Sequence, residues 1–305
     1  MRSFIALCIG LLLLAAAGLA GPAVMVTDVT TGTVLLEGDA DARHFPASLT
    51  KLMTLYVLFE ALGDGRIRLD QKFIVSPEAA AQPPTKVGLR PRSRISVEEC
   101  IGALITRSAN DVALVVAEGL EGSESAFSEV MTATAMNLGM QQTVFRNASG
   151  LPDPDQYSTA RDLTILSKAL ITRYPDYYHY FGMTSCRAAG KVLLTHNSFL
   201  GIYNGADGLK TGYTKDAGYN LAASAERHGH RLVGVVLGES SRQKRDAQMI
   251  QIMDQAFAQL GYPRAPVRKV VQARTRKHRP LRSSRAARTV ASGTRRRSAP
   301  SASGS

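Results

Sequence analysis

Three short segments lie far apart in this chain, and they can do chemistry only if the fold brings them together: Ser48-Leu49-Thr50-Lys51, Ser108-Ala109-Asn110 and Lys210-Thr211-Gly212. In that order they supply a serine nucleophile, a lysine one helical turn away, a hydroxyl paired with an amide, and a lysine-bearing strand. These groups suit serine acyl transfer. Any single match would be weak. Ser241-Arg242-Gln243-Lys244 also fits Ser-x-x-Lys, but no Ser-x-Asn or Lys-Thr-Gly follows it.

Each segment has a chemical reading and a plainer one. Ser48 follows Pro46-Ala47 into a helix expected over Leu49 to Leu62, with Leu52, Tyr56 and Phe59 on its apolar face. The free N–H groups at such a helix start favour developing negative charge. An i, i+3 spacing sets Lys51 beside Ser48. Lys51 acts as a base only if neutral, which burial and a second nearby lysine both promote. The plainer reading is a serine cap with Lys51 in solvent.

Ser108 and Asn110 fall in the connection between helices expected over Val97 to Thr106 and Asp111 to Gly119. The hydroxyl can relay a proton, and the amide can hold a substrate carbonyl and the Lys51 ammonium. The alternative is an Asn-Asp helix cap, and both can hold at once. Lys210 and Thr211, on a strand, can bind a substrate carboxylate. Gly212 allows a ligand backbone to approach closely. The N–H of Tyr213, with that of Ser48, suits an oxyanion hole. A turn lysine beside a glycine is the competing reading. The chemistry calls for no cofactor.

The pattern along the chain predicts a mixed α/β domain, in which an antiparallel sheet is flanked by helices and joined by a helical cluster. A hairpin is expected over Ala23 to Glu37, and further helices over Ser125 to Leu138 and Thr159 to Tyr174. Loops are expected at Gln82 to Arg94 and Asn147 to Tyr157. A strand meander is expected over Gly208 to Leu237. A closing helix, Arg242 to Leu260, places Met249, Ile250, Met253, Phe257 and Leu260 on one stripe. Cys100 and Cys186 form one disulfide or stay two thiols. His228 and His230 lie in a polar turn without other ligands, which reads as a turn and not a metal site.

The ends differ from the body. Arg2, the apolar run Phe4 to Leu14 and the small residues up to Ala20 predict a cleaved export signal over residues 1–20, with an uncleaved anchor as the alternative. Residues 263–305 hold 13 Lys or Arg and no Asp or Glu, so the net charge of +12 belongs to this segment and the rest is near neutral. Its composition predicts a disordered tail, either solvated or in electrostatic contact with anionic membrane or envelope surfaces. Nucleic acid is not an expected partner of an exported chain. The catalytic domain is expected over residues 21–262.

Pro46-Ala47-Ser48-Leu49-Thr50-Lys51-Leu52-Met53-Thr54, Arg107 to Asp111 and Asp207 to Thr214 strongly resemble the D-alanyl-D-alanine carboxypeptidases, which are low-molecular-mass penicillin-binding serine peptidases. Asn147 to Pro152 and Ala217 to Leu221 extend the likeness. The resemblance implies acylation of Ser48 by peptidoglycan stem peptides with release of the terminal D-alanine. It implies Lys51 as base, Ser108 as relay, Lys210 as carboxylate anchor, and inhibition by β-lactams. Other readings of the same groups are a D,D-endopeptidase on cross-links, a β-lactamase and a non-catalytic wall-binding protein. No Glu-x-x-Leu-Asn loop of a class A β-lactamase is present. Two departures stand out: the residues after Tyr262 are too few for the second, β-rich domain of many relatives, and Ser198 stands where some relatives place a basic residue. Carboxylate recognition is then shared differently, with Arg231 as a candidate to help.

Overall fold

The computed structural model describes residues 21–262. The expected export signal and basic tail lie outside these residues. The chain opens with a hairpin of β1 (Ala23–Asp28) and β2 (Val34–Gly38). Its turn is closed by Thr31 N–H donating to Asp28 Oδ1 at 2.8 Å and by Gly32 at φ +76°. A 3₁₀ turn, Ala47–Leu49, leads into α1 (Thr50–Gly63). The middle of the chain holds β3 (Lys72–Ile74), α2 (Pro77–Ala81), β4 (Arg94–Ser96), α3 (Val97–Thr106), α4 (Asn110–Glu121), α5 (Glu124–Leu138), α6 (Ala160–Arg173) and α7 (Pro175–Tyr178). Then follow β5 (Ser185–Ala188), β6 (Lys191–Leu194), α8 (Phe199–Ile202), β7 (Ala206–Thr214), β8 (Gly218–Arg227), β9 (His230–Glu239) and α9 (Arg242–Gln259).

The early hairpin joins the late meander in one antiparallel sheet ordered β2-β1-β9-β8-β7, with β1 pairing β9 from Ala23↔Leu237 to Asp28↔Leu232. Alternation along the strands divides their side chains between two cores. Val24, Val26, Leu221, Ala223, Leu232 and Val236 pack with Met249, Met253 and Phe257 of α9. Ala23, Met25, Ala222, Val235 and Leu237 face the larger core formed with the helical cluster. β7 lies at the sheet edge, where it meets the Ala47–Leu49 turn. The mixed α/β architecture therefore matches the expected one.

Local chemistry explains the helix starts. Ser96 and Glu99 form a reciprocal capping box at α3, and Ser123 and Thr159 cap α5 and α6. One expectation changes, and the choice left open for the cysteines is decided in favour of two thiols. Every residue of α1 from Thr50 to Phe59 is buried, so it is a core helix and not an amphipathic one. Cys100 and Cys186 are free thiols, Cys186 lying 3.2 Å from Thr106 Oγ1. His228 stacks on Tyr262 at 4.7 Å.

Gly234 packs closely against α9, since a Cβ there would lie 2.7 Å from Met249 Sδ and 3.0 Å from Met253 Sδ. Gly234→Val is expected to destabilise the protein by about 1–3 kcal/mol through overpacking. Urea denaturation should show a lower midpoint at unchanged slope.

Candidate active site

Ser48 sits on a turn that the fold holds from three sides. Ala47 adopts φ +48°, a left-handed conformation costly for a residue with a Cβ. From β8, buried Asn220 donates through Nδ2 to the carbonyls of Phe45 (2.9 Å) and Pro46 (3.1 Å), while its Oδ1 accepts from Gly238 N–H (2.9 Å). From β7, Gly212 presses on the turn, where a Cβ would stand 3.0 Å from the Pro46 carbonyl oxygen and 3.2 Å from Ser48 N. Gly212 thus makes room for the nucleophile turn, whereas the sequence suggested room for a ligand. The third support is Gly150, at φ +80°, whose Cβ would fall 1.8 Å from the Ala47 carbonyl oxygen. Helix α1 begins only at Thr50, and Ser48 makes no capping hydrogen bond. The plainer reading of Ser48 as a helix cap does not hold.

Lys51 is fully buried and points its Nζ at three oxygens: Ser48 Oγ at 3.3 Å, Asn110 Oδ1 at 2.8 Å and the Ser149 carbonyl. The loop supplying that carbonyl is itself tied down. Thr54 Oγ1 donates to the Ala148 carbonyl (2.6 Å), Ala148 N–H donates to Glu124 Oε1 (3.0 Å), and Gly150 N–H donates to Asn147 Oδ1 (2.7 Å). Burial, then the nearby charge of Lys210, holds the Lys51 amine well below the ordinary lysine range, against the opposing pull of Asp111 and Glu124. A neutral amine has two N–H donors and one lone pair. The amide of Asn110 and the Ser149 carbonyl take the donors, which leaves the lone pair for the Ser48 proton.

Ser108 occupies a left-handed backbone position (φ +57°) between α3 and α4, and its Oγ accepts from Lys210 Nζ at 3.0 Å. Asn110 opens α4 and is not in the loop proper. It bridges Lys51 to the Pro83 carbonyl, to which its Nδ2 donates at 3.0 Å. The expected Asn-Asp cap is absent: Ala109 is the cap residue, without a side-chain bond. The Asp111 carboxylate instead accepts from the N–H groups of Val87 (3.1 Å), Gly88 (2.8 Å) and Leu89 (3.1 Å), fixing the 82–93 loop that brings Thr85 to the cleft.

Lys210, buried on β7, also donates to the Thr211 carbonyl (2.8 Å), and burial followed by the charge of Arg245 lowers its pKa to about 7. The cleft beside it holds about 340 Å³, is lined by Ser48, Ser108, Thr211, Gly212 and Tyr213, and also takes in His196, Arg242 and Arg245. Exposed Tyr213 packs on Tyr219 at the rim, their rings 4.3 Å apart.

The two arginines escaped the sequence reading. They lie one turn apart at the start of α9, Arg242 within the Ser241 to Lys244 match to Ser-x-x-Lys and Arg245 directly after it. There Ser241 Oγ accepts from Lys244 N–H at 3.2 Å, so that serine is a helix cap. Asp246 Oδ1 accepts from Arg245 Nη2 at 2.6 Å, and Ser198 Oγ donates to Asp246 Oδ2 at 3.2 Å. Ser198 therefore touches the carboxylate that orients Arg245. Arg231 is engaged elsewhere, with Asp207, Ser224 and Glu226, and does not line the cleft.

A family model described as D-alanyl-D-alanine carboxypeptidase (peptidase S11) matches residues 15–241. The chain is 35% identical over 234 residues to the D-alanyl-D-alanine carboxypeptidase DacF of Bacillus subtilis, covering 75% of this chain and 60% of that one. Penicillin-binding protein 6B of Escherichia coli superposes with a TM-score of 0.73 at 34% identity, covering 77% of this chain and 76% of that one. Penicillin-binding protein D2 of Listeria monocytogenes in its ampicillin-bound form superposes at 0.68 with 33% identity, covering 77% and 96%. The chain spans 55% to 63% of the length of curated relatives such as DacF.

Because Ser241 is a cap, Ser241→Ala is expected to cost about 1 kcal/mol of stability, read by thermal or urea unfolding. An unchanged stability would show that its hydrogen bond to Lys244 does not hold the helix start.

Proposed function

The chain belongs to the D-alanyl-D-alanine carboxypeptidase family of serine peptidases, and from that premise we propose that it is a serine D,D-carboxypeptidase that removes the terminal D-alanine from peptidoglycan stem pentapeptides. One observation carries this reading: Ser48, Lys51 and Asn110 share one set of hydrogen bonds, and Lys210 meets Ser108 in the same site, so the three segments converge.

In the proposed reaction Ser48 gives its hydroxyl proton to Lys51 Nζ while its Oγ bonds to the carbonyl carbon of the penultimate D-alanine. The N–H groups of Ser48 and Tyr213 receive the oxyanion. As the intermediate collapses, the C–N bond breaks. The proton on Lys51 reaches the leaving amine by way of the Ser108 hydroxyl, and D-alanine departs. Water then hydrolyses the ester, its proton returning through Lys51. Asn110 holds Lys51 and the substrate amide. Lys210 and Thr211, with Arg245, bind the terminal carboxylate, whose negative charge favours the protonated form of Lys210. A β-lactam acylates Ser48 by the same first step, as the ampicillin-bound relative supports. In the same reading residues 1–20 direct export, the enzyme works in the periplasm, and the basic 263–305 segment contacts anionic envelope surfaces.

Intact-mass measurement after benzylpenicillin treatment is expected to show one added penicillin on the wild-type chain and none on Ser48→Ala. Pentapeptide digestion should release D-alanine with the wild type and lose about 10³-fold or more in that variant. Normal D-alanine release by a folded Ser48→Ala protein would sink the assignment.

A further inference from the structure

Three consecutive residues, Ala148, Ser149 and Gly150, touch both the base and the nucleophile turn. The Ser149 carbonyl accepts from Lys51 Nζ, and Gly150 rests against the carbonyl of Ala47, one residue before Ser48. The Ala148 peptide groups are held on both sides. The carbonyl accepts from Thr54 Oγ1 of α1 at 2.6 Å, and the N–H donates to Glu124 Oε1 of α5 at 3.0 Å. We propose that Glu124 is a positioning residue for the acylation of Ser48, which fixes this segment against Lys51 and keeps a negative charge within electrostatic reach of the same amine. The proposal rests on the reading of Lys51 as the base that takes the Ser48 proton.

The local sequence explains why a carboxylate can stand there. Ser123 caps α5 and Glu124 is the first residue of that helix, where free N–H groups favour negative charge. Burial raises the pKa of its carboxyl, the Ala148 N–H lowers it, Glu118 of α4 raises it and Lys51 lowers it, with a net rise. Glu118 is itself engaged by Ser76 Oγ, which donates to it at 2.9 Å. Seen from Lys51, burial and Lys210 on β7 lower the amine's pKa, while Asp111 on α4 and Glu124 on α5 raise it. Asp111 is committed to the N–H groups of Val87, Gly88 and Leu89. Glu124 instead bonds to the segment that touches Lys51, so it acts on the amine through geometry and charge together.

The charge has a chemical use. The base must be neutral to accept the Ser48 proton, yet basic enough to hold it until the leaving amine takes it. Burial and Lys210 push Lys51 toward the neutral form, and Glu124 limits how far they do so. Removing that charge lowers the Lys51 pKa further, so the neutral amine persists to lower pH.

The test follows the rate of acylation by benzylpenicillin across pH, read by intact mass, for the full chain as wild type, Glu124→Gln and Glu124→Ala. Urea unfolding checks the fold of each. Glutamine keeps an oxygen for the Ala148 N–H and removes the charge, whereas alanine removes both. Glu124→Gln is expected to move the acid limb of the rate about 0.5–1 pH unit lower, the size of one charge acting through a partly buried region. Glu124→Ala should show that shift and a plateau about tenfold lower, the size of one hydrogen bond to a charged acceptor. Coincident acid limbs in wild type and Glu124→Gln, or a Glu124→Ala plateau no lower than that of Glu124→Gln, would overturn the proposal and leave the carboxypeptidase reading standing. If Glu124→Ala does not fold, the Glu124→Gln limb decides. A wild type that penicillin does not acylate would overturn both.

Discussion

Everything around the site follows from burying the Lys51 amine among oxygen atoms. A buried ammonium without compensation costs several kcal/mol, so the protein must neutralise it or surround it with acceptors. Here the oxygen partners are few and each belongs to a different part of the chain: Ser48 on the turn before α1, Asn110 at the start of α4, and the Ser149 carbonyl on the loop before α6. Lys210 adds positive charge nearby. The same burial that removes the proton from Lys51 also gathers the separate segments around it. Helix α1 packs against α3, α4, α5 and α6, and so is buried along its first ten residues and not only along one stripe.

The second constraint is the strained turn that presents Ser48. A left-handed alanine next to the nucleophile persists only when its surroundings determine it. Asn220 grips two carbonyls ahead of it, Gly150 approaches so closely that it leaves no room for a side chain, and a Cβ on Gly212 would crowd the same turn. Two glycines and one asparagine, contributed by two strands and a loop, keep the hydroxyl aimed at Lys51. The turn also borders two cavities, one lined by Ser48 and the other by Phe45, Pro46 and Ala47.

Much of this was legible in the sequence because the chemistry is carried by residue types that few other roles need in that order. Ser48, Lys51, Ser108, Asn110 and Lys210 meet in one site, and the helix limits Val97–Thr106 and the antiparallel meander appear as expected. What stayed hidden depends on tertiary packing. Arg242 and Arg245 belong to no motif and reach the cleft only through the packing of α9 on the sheet. The role of Asp111 as an anchor for the 82–93 loop could not be told from a helix cap by spacing alone. The paired strands β3 with β4 and β5 with β6 are three or four residues each, too short for period-two alternation to register. Arg231 was misread because its partners, Asp207 and Glu226, become neighbours only when β7, β8 and β9 pair.

The ionisation of Lys51 is the most direct measure of the account. NMR titration of ¹³Cε-lysine-labelled protein, with Lys51→Arg used to assign the resonance, should find the Lys51 amine losing its proton well below the ordinary lysine value of about 10.4. It should be depressed less when Lys210 is replaced by methionine. A Lys51 resonance that stays charged up to that ordinary value, with or without Lys210, would contradict the account.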